Sequence, residues 1–147
     1  MKNFICYIGV LISIVIINAV FVICFKESSV AAEFLASYGW ETESTPIESV
    51  EIYIPDEFDD VYNNYNILQK EAGLDLEEYK GCKAVRYTFI ILNYPGAEEN
   101  VHGNVIMVEG KPIAGDISTV AFDGFMHSLN ANSEACLGYI NKWLTAK

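Results

Sequence analysis

From Phe4 to Phe25 the chain runs for 22 residues without a charge, FICYIGVLISIVIINAVFVICF. As a helix this run spans roughly 33 Å at 1.5 Å per residue, close to the ~30 Å hydrocarbon core of a bilayer. Fifteen of the 22 are Ile, Val, Leu or Phe. At roughly −0.3 to −0.6 kcal/mol each, they outweigh the cost of Ser13 and Asn18. A lone segment in lipid must bond its backbone internally, so the run is expected to be a transmembrane helix. The expected division is an anchor over residues 1–26 and a domain over residues 27–147.

Lys2 and the α-amine precede the run and Lys26 follows it. That bias favours the N-terminus inside, with the domain outside the cytoplasm. The rival is a cleaved signal peptide, for which Ser29 and Ala31 offer a small-x-small site. The charge-free run exceeds the usual h-region of roughly 7–15 residues, which favours retention. A lipoprotein signal is disfavoured, because no small residue stands directly before Cys24. Asn18 suits a contact with a neighbouring helix, although bonding within its own helix is the plainer account.

All 20 acidic residues and all but one of the nine basic ones lie after Phe25. A domain that acidic repels nucleic acid and anionic headgroups, so nucleic-acid binding is disfavoured. Solubility or a cationic partner remains. At 147 residues in total, one domain with a single core is expected.

Ser28 and Ser29 open a short helical stretch in which Ala31, Phe34, Leu35 and Tyr38 share a face and Gly39 is the stop. Val50, Ile52 and Ile54 alternate with Ser49, Glu51 and Tyr53, which predicts a half-buried strand. After Pro55 the spacing of Phe58, Val61, Tyr62, Tyr65, Leu68 and Ala72 predicts a helix closed by Gly73. Its start is crowded by Asp56, Glu57, Asp59 and Asp60, as the helix dipole favours. Lys83–Tyr94 is apolar on both faces and reads as a central strand. Asn93–Asn100 is a loop, and Val101–Glu109 and Ile113–Phe122 flank a hairpin at Gly110. Asp123–Leu129 leaves irregularly, and a last helix begins after Asn132, with Cys136, Ile140, Trp143 and Leu144 on one side. The expected fold is α+β, an antiparallel sheet of about four strands with helices mainly on one face, behind the transmembrane helix.

Chemistry-bearing motifs are scarce. Cys6 and Cys24 lie at opposite ends of the run, and Cys82 and Cys136 read as separate thiols more readily than as a bond. The two histidines, His102 and His127, exclude an HExxH site, and no paired CxxC or glycine-rich phosphate loop occurs. No metal or cofactor is expected. The acids at 56–60 lack an EF-hand pattern. The tyrosines Tyr53, Tyr62, Tyr65, Tyr79, Tyr87 and Tyr94 suit a recognition groove, but several fall on core faces.

Several short motifs carry a family resemblance: Phe34-Leu35-Ala36-Ser37-Tyr38-Gly39-Trp40, Ile54-Pro55-Asp56-Glu57-Phe58, Val61-Tyr62 with Tyr65-Asn66, and Asp75-Leu76 with Tyr79-Lys80-Gly81. Arg86-Tyr87, Asn93-Tyr94-Pro95, Gly115-Asp116 and Gly124-Phe125-Met126-His127 continue the series. Their order resembles a bacterial family of clostridial-type Gram-positive organisms, domain of unknown function forty-eight-thirty. The resemblance implies a small exported domain behind an N-terminal anchor and brings no established activity. The family often has a cysteine after the Gly-Asp pair; Ser118 stands there, which argues against an essential ligand at that position. The helix after Asn132 extends past the family's usual end.

The expectation is a binding module at the bacterial envelope rather than an enzyme, anchored in lipid through residues 4–25. Its partner would be an envelope protein, peptide or wall component, docked on the sheet edge or on the segment holding Asp116, Asp123, Phe125, Met126 and His127. The alternatives are an envelope hydrolase using Asp116, Asp123 and His127, and a structural protein self-associating through Asn18.

Overall fold

A computed structural model describes residues 2–95, 101–119 and 124–130. In chain order it has α1 (Lys2–Ser37), β1 (Glu48–Tyr53), α2 (Asp60–Glu71), a short 3-10 helix (Leu76–Tyr79), β2 (Lys83–Ile90), β3 (Val101–Val108), β4 (Lys111–Thr119) and β5 (Met126–Ser128). The strands form one antiparallel sheet in the order β1-β2-β3-β4-β5. The expected α+β class and meander are present. Among the described residues there are five strands where about four are expected, because the segment expected to leave irregularly pairs with β4 as β5. The helix expected after Asn132 lies outside the described residues, as do Cys136, Asp123 and the end of the strand expected to reach Phe122.

The helical stretch expected from Ser28 is not separate. α1 passes unbroken through Lys26 and Glu27, since no glycine or proline interrupts the chain between Val10 and Ser37. Its last turns press Ala31 and Leu35 onto the sheet, both fully buried. Further up, Leu11, Val15 and Ile17 are exposed, and Asn18 Nδ2 donates to Ile14 O at 2.8 Å within its own helix. Among the described residues no helix is long and apolar enough to cross a membrane. Much of the charge-free run, residues 4–10, 20, 21 and 23–25, has side chains outside that description.

α2 begins later than Pro55 suggests. Asp59 is its N-cap, accepting from Tyr62 N at 2.9 Å, and Asp60 opens the first turn. The buried side of α2 is also not the apolar stripe read from the sequence. Val61 is 72 % exposed, while Asn66 and Gln69 are buried. Both amides satisfy backbone groups that burial would otherwise strand. Asn66 Oδ1 accepts from Leu76 N at 2.7 Å, and Gln69 Oε1 accepts from Gly115 N at 2.8 Å. Gly115 N points away from β3 just where β5 has ended, so Gln69 takes the place of the missing strand.

Helices cover both faces, not mainly one. Tyr87 and Phe89 of β2, Val105 and Met107 of β3 and Ile117 of β4 pack with Ala31 and Leu35 of α1. Ala84, Ile106 and Ala114 pack instead with Leu76, Phe58, Tyr62 and Tyr65. Strand side chains alternate between faces, so α1 closes one side and α2 with the 3-10 helix closes the other.

Candidate functional site

β4 and β5 place the residues singled out from the sequence. Asp116 pairs with Ser128 and Ile117 with His127, so Asp116 and His127 project from opposite faces of the sheet. They do not converge, and Asp123 lies outside the described residues. His127 is fully buried, not part of an exposed turn. Its ring stacks on Phe125 at 5.5 Å, within an aromatic group that includes Tyr94 and Trp40. A neutral ring protonated on Nδ1 donates to Ser128 O at 2.7 Å and accepts from the Tyr94 hydroxyl at 3.2 Å. Burial pushes the imidazole below its ordinary pKa, which keeps it neutral. Phe125 is half-buried and Met126 is exposed, so the described residues of the segment present no joint surface.

Asp116 belongs to a feature that sequence reading missed. The register sets Glu48, Thr88, Asn104, Asp116 and Ser128 in one row across all five strands. Thr88 Oγ1 donates to Asn104 Oδ1 at 2.8 Å, and Asn104 Nδ2 donates to Asp116 Oδ2 at 2.9 Å. Tyr65 of α2 reaches down to donate to Asp116 Oδ1 at 2.9 Å. Burial raises the Asp116 pKa, against the pull of Asn104, Tyr65, Ser118 and the Arg86 charge. Burial, then the nearby carboxylate, raises the Tyr65 phenol well above its ordinary value. Arg86 ion-pairs with Glu48 at 2.9 Å; its Nε is buried without a hydrogen-bond partner among the described residues. The row clamps α2 to the sheet. Asp116 is only 3 % exposed, so it offers a ligand no access.

Accessible binding chemistry lies at the other end of the sheet. β1 is an edge strand with five of its six residues exposed. Ile54 N donates to Cys82 O at 3.0 Å, and the alternation running back from that pair turns Glu48, Val50 and Ile52 towards β2. Ser49, Glu51 and Tyr53 therefore direct their N–H and C=O groups outward, and nothing among the described residues pairs with them. Beside this edge is a cleft of about 430 Å³, with Val85 and Met107 on its floor and Glu27, Glu51, Glu109 and Lys83 around it. Glu51 pairs with Val85, and Val85 with Met107, so the floor continues the row that Glu51 begins. Among the described residues no group of His, Cys, Asp or Glu is placed to hold a metal ion, and Cys82 is a half-buried free thiol.

The model of the family Domain of unknown function (DUF4830) matches residues 34–117, more than half of the chain. The chain belongs to this family. The matched segment of this DUF4830 member runs from the end of α1 to β4, so it holds the β1 edge and the polar row from Glu48 to Asp116 and stops before His127. No curated protein and no solved structure matches the chain.

Proposed function

We propose that this DUF4830 member is a binding module on the outer side of a bacterial cytoplasmic membrane, engaging an envelope protein or peptide by strand addition to β1. The observation that carries this reading is the edge at Ser49, Glu51 and Tyr53, which is unpaired among the described residues. An unpaired row of backbone donors and acceptors is a template for an extended partner, whose main-chain bonds supply affinity. Asp116 and His127, the other candidates, are sequestered in the two cores. In this reading the protein binds without catalysing a reaction.

Anchoring belongs to the same proposal. The charge-free residues 4–25 lie in a helix continuous with the domain, and the described apolar side chains along it are exposed. A helix apolar all round needs lipid or another helix to cover it. Lys2 and the α-amine before the run, against Lys26 alone just after it, fit an N-in, C-out orientation.

A photo-crosslinking residue at Glu51, with another at exposed Ile67 of α2 as control, tests the edge in intact cells. Capture at Glu51 alone, abolished by Ser49→Pro, is expected. Proline at 49 removes only an outward N–H, which an edge strand tolerates. Equal capture at both positions overturns the edge reading, and a domain protected from protease added to whole cells overturns the orientation.

A further inference from the structure

Resting on the edge-binding reading, we infer that the segment added to β1 is basic, with a lysine or arginine opposite Glu51. Glu51 is the middle one of the three outward residues, and its side chain shares the α1 face with Val85 and Met107. A residue paired to Glu51 on an added strand has its side chain on that same face, at the mouth of the cleft. There the aliphatic stem of a lysine or arginine lies along apolar surface, as such stems do, and its charge comes within reach of Glu51, Glu27 and Glu109. Among the described residues three carboxylates outnumber the single Lys83 around this cleft, in a chain of net charge −11. An acidic segment would meet like charge in the same place.

The same glutamate works against a second copy of this chain as the occupant. The symmetric pairing that engages all three outward residues centres on Glu51 and sets it directly against Glu51 of the other copy. Like charges opposed across strands destabilise the pairing. Edge charges of this kind discourage self-pairing while leaving a site for an oppositely charged strand.

The test uses the full chain in an uncharged detergent and four short fluorescent peptides. These are an alternating Lys-Thr sequence, the same residues with the lysines in one block, an alternating Glu-Thr sequence and an alternating Val-Thr sequence. The alternating Lys-Thr peptide is expected to bind at least about ten-fold more tightly than the alternating Glu-Thr peptide. It should also outbind the blocked peptide and weaken as salt rises. Glu51→Gln combined with Glu109→Gln should remove most of that preference. Ser49→Pro should weaken both alternating peptides that bind.

Equal binding of the Glu-Thr peptide, equal binding of the blocked peptide, or indifference to the glutamine variants overturns the basic-partner inference and leaves the edge reading standing. Lys-Thr binding that survives Ser49→Pro but not the glutamine variants overturns the edge reading instead. Binding of none of the peptides overturns both. A dimer of the wild-type chain that Ser49→Pro dissociates assigns the edge to a second copy and overturns the inference.

Discussion

The two faces of the sheet are closed by different chemistry. On the α1 side, Ala31 and Leu35 meet Tyr87, Phe89, Val105 and Ile117, while His127 is bonded to the Ser128 carbonyl and the Tyr94 hydroxyl and Trp40 Nε1 donates to the Leu129 carbonyl. On the α2 side an apolar patch at Ala84, Ile106 and Ala114 adjoins the polar row that holds Asp116, with Tyr65 tying the helix to it. The first arrangement depends on volume and the second on geometry. An apolar core is weakened by lost contacts, whereas a buried polar network is weakened by any single orphaned partner.

The largest effect should come from the α1 side. Phe89→Ala, at a fully buried position, should cost about 3–5 kcal/mol in urea unfolding. A loss no greater than that of a surface substitution would break the contrast between the faces. Gly115→Ala should follow. Its Cβ would lie 2.6 Å from the Asn104 carbonyl oxygen, a backbone atom that cannot swing aside. Overpacking of this kind costs about 1–3 kcal/mol, and relief by also shortening Leu129 would show that the side chain, not the backbone, was the obstacle. Tyr65→Phe removes one donor from a buried carboxylate without leaving a large cavity and should cost about 1–3 kcal/mol. Hydrogen exchange should then rise in α2 but not in α1.

Acid should move the two faces in opposite directions. The folded Asp116 carboxyl holds its proton above the ordinary value of 3.8, so folding takes up a proton between 3.8 and the raised value. Its contribution improves as pH falls through the raised value and levels off below 3.8. His127 is depressed from 6.5, so the unfolded ring protonates first, and its contribution is full above 6.5 and lost as pH falls towards the folded value. From neutral to mildly acid pH, the wild type should therefore gain stability relative to Asp116→Asn and lose it relative to His127→Phe. The same sign for both variants would show that one assignment is wrong. The smallest effect is expected at Val61→Ala, within about 0.5 kcal/mol, because Val61 is 72 % exposed despite its place in the apolar spacing.

Several elements were legible in the chain. The charge-free run, the β1 alternation, the helix ahead of Gly73 and the Gly110 hairpin each carry a local signal. At Glu109 and Gly110 both φ angles are positive, 50° and 74°, as a two-residue hairpin turn requires. Local pattern did not reveal that α2 buries Asn66 and Gln69, because amides are read as surface unless their backbone partners are known. Nor did it reveal β5, three residues long and defined by pairing rather than periodicity. The sequence points to a sheet edge as a docking place, but that the edge is β1, and which of its residues face outward, follow only from the register with β2.

The clearest division falls within the hairpin of β3 and β4. Its turn and strands are written in the local sequence, from Val101 to Thr119. Counting back from the turn, Val108 pairs with Lys111 and Met107 with Pro112, and continuing that register would pair Asp116 with Gly103. Instead Ile106 pairs with Ala114, Ile113 is left as a bulge, and Asp116 comes opposite Asn104. A slip of one residue turns every later side chain to the other face. The residue types along β4 come from the sequence, while the bulge decides that Asp116 joins the polar row under α2 and His127 the aromatic core. No local pattern announces the bulge, because its stability comes from Ile113 packing between elements far apart in the chain.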